Sequence, residues 1–332
     1  MKVLIIGGAG YIGSFMNRLL AEQGYNTIVI DNLSTGHCSS LSRDTEFIKG
    51  DMADYSLLKE TLQASQIDVV MHFAALALVG ESMKNPTSYY ENNVANTLNV
   101  FNAMKETGVK YFIFSSTAAV YGEPQDIPIT EKHPVQPINP YGRSKVMVEQ
   151  ILNDLSHSDG LRYISLRYFN AAGAHPDGSM GEDHDSETHL IPLVLKSILS
   201  EETGCKPLKI FGSDYNTKDG TCIRDYIHVL DLAEAHILAI KYLVGGGESD
   251  VFNLGNGRGF SVLEVIKTAE KVARRSVPAI KEQRRAGDPS VLVASSDKIS
   301  KKLGWRPEYT ELETIIKTAW KWHSIHPGGY GK

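Results

Sequence analysis

The stretch Asn139-Pro140-Tyr141-Gly142-Arg143-Ser144-Lys145 holds the residues best suited to chemistry. Asn139 can cap a helix and Pro140 can take its first position. Tyr141 and Lys145 then stand at i and i+4, on one helix face about a turn apart. A free tyrosine titrates near pH ~10, so only about 0.1% is phenolate at neutral pH. A neighbouring ammonium favours the phenolate. A fall of ~3 pKa units corresponds to ~4 kcal/mol and makes Tyr141 a general base near physiological pH. Taken alone, the spacing more often means a surface tyrosine beside a solvated lysine. Two other features turn the reading toward chemistry.

The first is Gly7-Gly8-Ala9-Gly10-Tyr11-Ile12-Gly13, which follows an apolar run and opens an amphipathic one. Gly7, Gly10 and Gly13 form a GxxGxxG pattern. The first glycine permits a tight turn, the second lets backbone N–H groups approach a pyrophosphate, and the third lets helix pack on strand. Asp31 ends the second apolar run and can accept hydrogen bonds from both adenosine ribose hydroxyls. It repels a 2′-phosphate, and no arginine stands beside it, so NAD is favoured over NADP. Asp51, with Met52 after it, is placed to meet the adenine, although a helix N-cap is a reasonable alternative. The positive ring of an oxidised nicotinamide would also favour the Tyr141 phenolate. The second feature is Phe114-Ser115-Ser116-Thr117, which ends a strand with hydroxyls at the edge where ligands of such folds bind. Thr117 can hold a substrate hydroxyl for proton transfer.

These residues need a scaffold, and the hydrophobic pattern supplies one. Short apolar runs at 3–6, 27–30, 46–49, 68–73, 111–115 and 163–167 read as strands. Helix-period segments at 11–23, 55–64, 89–107 and 141–155 lie between them. This alternation predicts an α/β fold, a Rossmann-like doubly wound parallel sheet with strands buried on both faces. After about residue 170 the rhythm breaks. Residues 171–188 read as a long loop, and a smaller mixed α/β lobe follows. Residues 1–170 form the expected NAD-binding domain, with a returning segment near 225–255, and 171–332 are mainly the substrate lobe. Ser261 with Glu264 and Thr310 with Glu313 read as capping boxes that open two helices.

The 332 residues carry a formal net charge of −5, which argues against non-specific nucleic-acid binding. No apolar run reaches the ~18 residues that span a bilayer, and no secretory signal is apparent. Cys38, Cys205 and Cys222 read as reduced, small buried hydrophobes, so a cytoplasmic protein is expected.

The sequence resembles the extended short-chain dehydrogenase/reductase superfamily, and within it the UDP-glucose (UDP-galactose) 4-epimerase family. The likeness runs from residue 1 to about 325. It is carried by GGAGYIG at 7–13, DN at 31–32, HFAAL at 72–76, SSTAAVYG at 115–122 and YGRSK at 141–145. It continues in RYFNAAGAHPDG at 167–178, DGTCIRDYIHV at 219–229, FNLGNG at 252–257 and RRAGDP at 284–289. The resemblance implies Tyr141 as base, Lys145 as its pKa-lowering partner and ribose ligand, and Thr117 as helper. The family more often has serine at Thr117. It also implies an NAD site at Gly7, Gly10, Tyr11, Ile12, Gly13, Asp31, Asn32, Asp51, Met52, Phe73, Ala74, Ala75, Asn92 and Tyr168. Ala77 and Phe15 depart from the family, which often has lysine and histidine there.

For the substrate, Arg224 and Arg285 offer planar cationic forks for a diphosphate. From the local sequence, a salt bridge of Arg224 to Asp225 or Asp231 is equally open. Asn170 could hold a phosphate or sugar hydroxyl. The resemblance adds Leu190, Phe211 near the uracil, Tyr226 and Asp288. It also places Leu292 beside the hexose, where intermediate bulk implies acceptance of UDP-N-acetylhexosamines alongside UDP-glucose and UDP-galactose. Glu182, Asp183, His184, Asp185 and His189 gather potential ligands, but their spacing matches no zinc or calcium pattern. They read as a polar loop with no metal, and His189 is placed near the substrate. A homodimer is implied, through segments 89–107 and 141–155. The competing readings are a 4,6-dehydratase or decarboxylase of the same fold, and an NAD-sensing module. A dehydratase of this kind carries an acid pair after the Thr117 position, where Ala118-Ala119 stand here. A sensing module need not keep both Tyr141 and Lys145.

Overall fold

The computed structural model describes residues 1–199, 207–285 and 288–331. Its strands are β1 (Lys2–Ile6), β2 (Asn26–Asp31), β3 (Glu46–Lys49), β4 (Val69–His72), β5 (Tyr111–Ser115), β6 (Arg162–Tyr168) and β7 (Asn170–Ala172). The series continues with β8 (Leu208–Phe211), β9 (Ile223–His228), β10 (Asp250–Leu254), β11 (Gly259–Ser261), β12 (Ala279–Glu282) and β13 (Val291–Leu292). The helices are α1 (Tyr11–Glu22), α2 (Tyr55–Ser65), α3 (Val79–Lys84), α4 (Pro86–Tyr90), α5 (Asn96–Thr107) and α6 (Pro140–Ser158). Beyond them come α7 (Leu190–Leu199), α8 (Val229–Val244), α9 (Val262–Ala273), α10 (Asp297–Leu303) and α11 (Leu312–Ile325).

Seven parallel strands form one sheet in the order β10-β6-β5-β4-β1-β2-β3. The order reverses between β1 and β4, the place where open sheets of this kind leave a ligand crevice. Alternate residues of each strand feed opposite cores. Val3, Ile5, Val69, Met71 and Ile113 pack with Met16, Leu20 and Leu232 from α1 and α8. Leu4, Ile6, Val70, Phe112 and Phe114 pack with Leu58, Leu62, Val100, Val148 and Leu152 from α2, α5 and α6. Burial on both faces is why the strands read as continuous apolar runs.

The chain returns to this sheet after leaving it: α8 covers one face and β10 pairs with β6 at its edge. The other lobe has its own core, in which Val194 and Leu195 of α7, Val265 of α9 and Ile315 of α11 meet Leu208 and Tyr226. There β9 joins β7, β11 and β13.

Three local expectations change. The segment 89–107 is not one α-helix, because Glu91–Ala95 widens into a π-helical turn between α4 and α5. The wider turn re-aims Asn92 and Asn93, in the way such bulges do at functional sites. The Ser261–Glu264 capping box forms. The Thr310–Glu313 box does not: Glu311 is the N-cap, and Glu313 instead pairs with Lys271 at 2.5 Å and Lys317 at 2.8 Å. Cys222 is buried as expected, whereas Cys38 is exposed; Cys205 lies outside the described residues. Among the described residues, no helix is long and apolar enough to cross a membrane.

Candidate active site

The helix α6 starts as its sequence dictates. Asn139 accepts the Gly142 N–H at 2.8 Å and Pro140 takes the first turn. This start fixes Tyr141 and Lys145 on one face, against the C-terminal end of β5. Lys145 is buried, donates from Nζ to the Ser115 carbonyl at 2.8 Å, and lies 4.7 Å from the Phe114 ring centroid. Burial lowers its pKa to about 7, against an upward pull from Glu149. Burial raises the Tyr141 pKa, and the neighbouring Thr117 hydroxyl lowers it. Thr117 thus stands beside the phenol, while Lys145 Nζ reaches the end of β5 from one turn along the same helix.

Behind the pair lies a buried polar network that motif reading does not reveal. Glu149, one turn beyond Lys145, accepts from Ser116 Oγ at 2.6 Å and from both arms of the Arg167 guanidinium. Arg167 also donates to Tyr121 Oη at 2.9 Å, and Tyr121 donates to Asn253 at 2.6 Å. A helix, β6, a loop and β10 are thereby pinned around the strand end that carries Thr117. The signal available in sequence was Glu149 at i+8 from Tyr141 on the same helix face. Asn93 is a second such residue. Its amide meets Leu76 N at 2.9 Å, Leu76 O at 3.0 Å and Ser144 Oγ at 3.1 Å. It thus ties α6 to the loop after β4.

A cleft opens at the crevice between β1 and β4. Its lining includes Gly7, Gly10, Asp31, Asn32, Asp51, Met52, Phe73, Ala74, Ala75 and Asn92. Those ten residues are the larger part of the expected dinucleotide set. The glycines separate by role. A Cβ on Gly7 would stand 2.4 Å from Ala74 N, and one on Gly13 would stand 2.3 Å from Gly7 O. Packing alone demands those two. A Cβ on Gly10 would meet only Gly7 O at 3.5 Å, so what it would fill is the cleft itself. The N-terminus of α1, which begins with Tyr11, Ile12 and Gly13, has no side-chain cap and is free to meet a pyrophosphate.

Asp31 accepts from Ala9 N at 2.9 Å and Leu33 N at 2.8 Å, which locks the loop and leaves lone pairs on both oxygens. Asp51 is not a helix cap: Asp54 caps α2, and Asp51 holds Asn32 Nδ2 at 2.7 Å. Tyr168 lies buried with its hydroxyl on Ser115 Oγ. Tyr11 donates to Gly173 O at 2.7 Å and packs edge-on to Phe15, 5.7 Å between centroids. Phe15 is buried with Met180 and Val229, so this departure from the family is a packing residue. Ala77 is exposed. The residues present therefore fit a dinucleotide.

Beyond β5 and β6 stands a second group. Arg224 donates to Asp288 and to Ile223 O at 2.7 Å. Neither Asp225 nor Asp231 is its partner. Asp225 accepts backbone N–H groups of Asn256, Gly257 and Ala294, and burial raises its pKa to about 7. Asp231 accepts those of Glu308 and Tyr309. Arg285 lies over the Phe211 ring at 4.0 Å, so cation and aromatic face come as a unit. Asn170 donates to Asp225 O at 3.0 Å, and its strand pairs Asn170 with the buried Tyr226. Leu292 pairs in register with Arg224 and packs against the cluster of Ala118, Val120, Tyr121 and Ile129, which joins the clamp to the loop after β5. Leu190 opens α7. The His189 ring is committed to Glu182 rather than to this clamp.

Comparison with known proteins agrees with this geometry. The model of the NAD dependent epimerase/dehydratase family matches residues 3–255. A UDP-glucose 4-epimerase of Halalkalibacterium halodurans is 52% identical over 330 residues, covering 99% of this chain and 98% of the relative. The UDP-glucose 4-epimerase of Bifidobacterium longum, solved in complex with NAD+ and UDP, superposes with a TM-score of 0.93 at 39% identity. The match covers 99% of this chain and 100% of that one. The UDP-Glc/GlcNAc 4-epimerase of Campylobacter jejuni superposes with a TM-score of 0.84 at 44% identity, covering 98% and 99%. The chain belongs to the NAD dependent epimerase/dehydratase family, among its UDP-glucose 4-epimerases.

Proposed function

We propose that the protein interconverts UDP-glucose and UDP-galactose by transient oxidation at C4 with tightly held NAD. The observation that carries this reading is Tyr141 and Lys145 on one face of α6, set against the end of β5 with Thr117 just beyond that strand, on the same sheet as the dinucleotide cleft. NAD, held by the Gly7–Gly13 loop, Asp31 and Asp51, would supply the hydride acceptor and donor for C4.

The chain's own residues do the rest. Tyr141 removes the O4 proton and later gives it back, and Thr117 steadies the shared oxygen. Lys145 serves the nicotinamide ribose, and Asp31 takes the adenosine ribose hydroxyls. Arg224 and Arg285 hold the diphosphate, with Phe211 against the uracil; Asn170, Leu190, Tyr226 and Asp288 complete that site. The UDP stays anchored while the planar 4-keto hexose turns its other face to the hydride. Zero net redox means that the cofactor need not exchange.

Leu292, packed against the Ala118–Tyr121 cluster where a bulkier tyrosine would exclude an acetamido group, supports use of UDP-N-acetylglucosamine and UDP-N-acetylgalactosamine as well. Ala118 and Ala119 provide no acid pair for a 4,6-dehydratase. Exposed Leu98 on α5 and Met147 on α6 support a homodimer through these helices. The absence of a spanning helix and the exposed Cys38 are compatible with a cytoplasmic home.

The test incubates purified protein with each of the four UDP-sugars and resolves products by NMR. Epimer pairs should appear, and Tyr141→Phe should lose about 10²-fold or more in turnover while keeping its cofactor. Elimination products, or full activity in the variant, would refute the reading.

A further inference from the structure

The loop between β7 and α7 carries four potential metal donors that no step above uses. Glu182 and Glu187 have side chains only 3% and 5% exposed, and His184 and His189 face them. One donor atom from each residue lies within 4.8 Å of the other three. His184 Nδ1 is 3.3 Å from Glu182 Oε1 and 3.5 Å from Glu187 Oε2. His189 Nδ1 is 3.6 Å from Glu187 Oε1 and in direct contact with Glu182 Oε1. Donors bound ~2.0–2.1 Å from a tetrahedral zinc are ~3.3 Å apart, close to three of these four separations; His189 Nδ1 and Glu182 Oε1 would draw apart to admit the ion. The sequence spacing concealed this, because Glu182 and Glu187 lie in the loop and turn inward together.

An independent observation points the same way. Glu187 Oε2 is buried and has no hydrogen bond. Its partner oxygen Oε1 accepts the N–H groups of Thr188 and His189, each at 2.8 Å. The cationic neighbours of Oε2, His184 Nδ1 at 3.5 Å and Lys196 Nζ at 3.9 Å, stand at ion-pair distance without donating a hydrogen bond to it. An unsatisfied buried carboxylate oxygen is costly, and a cation would relieve that cost.

We propose that Glu182, His184, Glu187 and His189 bind one divalent transition-metal ion of the zinc type. Two imidazole nitrogens disfavour calcium and magnesium, which prefer oxygen donors throughout. Two carboxylates neutralise the ion once the imidazoles have released their protons. The site is structural in its placement. His184 packs edge-on to Tyr11, 6.4 Å between centroids, and Tyr11 opens the helix behind the phosphate loop. His189 immediately precedes α7, where its carbonyl accepts the Leu193 N–H at 3.1 Å. The ion would tie the first helix of one lobe to the first helix of the other, whatever reaction the enzyme performs.

The experiment uses the full-length protein with its bound cofactor, dialysed against a chelator and titrated with zinc chloride. One equivalent should bind tightly, and X-ray absorption should give two nitrogen and two oxygen neighbours at ~2.0–2.1 Å. His189→Ala, which removes a half-exposed ring, and the double change Glu182→Gln with His184→Ala should each weaken binding by roughly 100-fold. Tyr141→Phe should bind as the parent does. Failure of the parent to take up stoichiometric zinc, or equal uptake by the double variant, would overturn the proposal. These readouts are independent of turnover, so an inactive enzyme would leave the result intact.

Discussion

Thr117→Val tests whether the hydroxyl beside Tyr141 acts through the ionisation of the phenol. Burial raises the Tyr141 pKa, and the Thr117 hydroxyl is the group that lowers it. A hydrogen bond to a charged group contributes ~1.5–3 kcal/mol. Its loss should raise the phenol's pKa, and that free energy corresponds to a phenolate fraction, and so a turnover, about 10- to 100-fold smaller at neutral pH. The assay is kcat for UDP-galactose as a function of pH in the cofactor-loaded protein. The alkaline-rising limb should move to higher pH, and the variant should approach the parent at high pH. Thr117 Oγ1 also accepts the Ala119 N–H at 3.1 Å, so melting should be followed in parallel, with a cost of about 1 kcal/mol expected. Thr117→Ser keeps both bonds and should restore the profile. If Thr117→Val lowers kcat by one factor at every pH, the hydroxyl positions the substrate and does not tune the base, and the argument fails.

Gly10→Ala should melt near the parent temperature yet retain little NAD, because its Cβ meets only Gly7 O at 3.5 Å and otherwise fills the cleft. Gly13→Ala should lose stability outright, with backbone 2.3 Å from the new carbon; calorimetry with cofactor quantification separates the two. Glu149→Gln strips the Arg167 guanidinium of its buried counter-charge and should cost about 3–5 kcal/mol in urea unfolding. In the folded fraction it should also move the Lys145 pKa below about 7, because Glu149 is the group that raises it. Leu292→Tyr should abolish turnover of UDP-N-acetylgalactosamine while sparing UDP-galactose, as read by NMR; equal loss on both would remove Leu292 from the pocket wall.

The linear sequence determined whatever depends on local chemistry or on periodicity. Strands buried on both faces must be continuously apolar, so the runs that became β1 to β6 stood out before their order was known. Gly13 is demanded by backbone contacts within one short loop, and Asn139-Pro140 starts α6 by capping rules that act over three residues. The Ser261 capping box is local in the same sense.

Tertiary structure decided the rest, because it depends on distance between segments far apart in the chain. The π-turn at 91–95 arises where Asn93 must reach Leu76 and Ser144, contacts that no periodicity encodes. Arg224 faced two aspartates nearby in sequence, yet it found Asp288, 64 positions on, because β13 lies beside β9. Burial itself is a tertiary property: it lowers the Lys145 pKa to about 7 and raises that of Tyr141, shifts that the local spacing of the two residues does not encode. The same folding turns Glu182 and Glu187 inward to meet two histidines, where the sequence displayed only a polar loop.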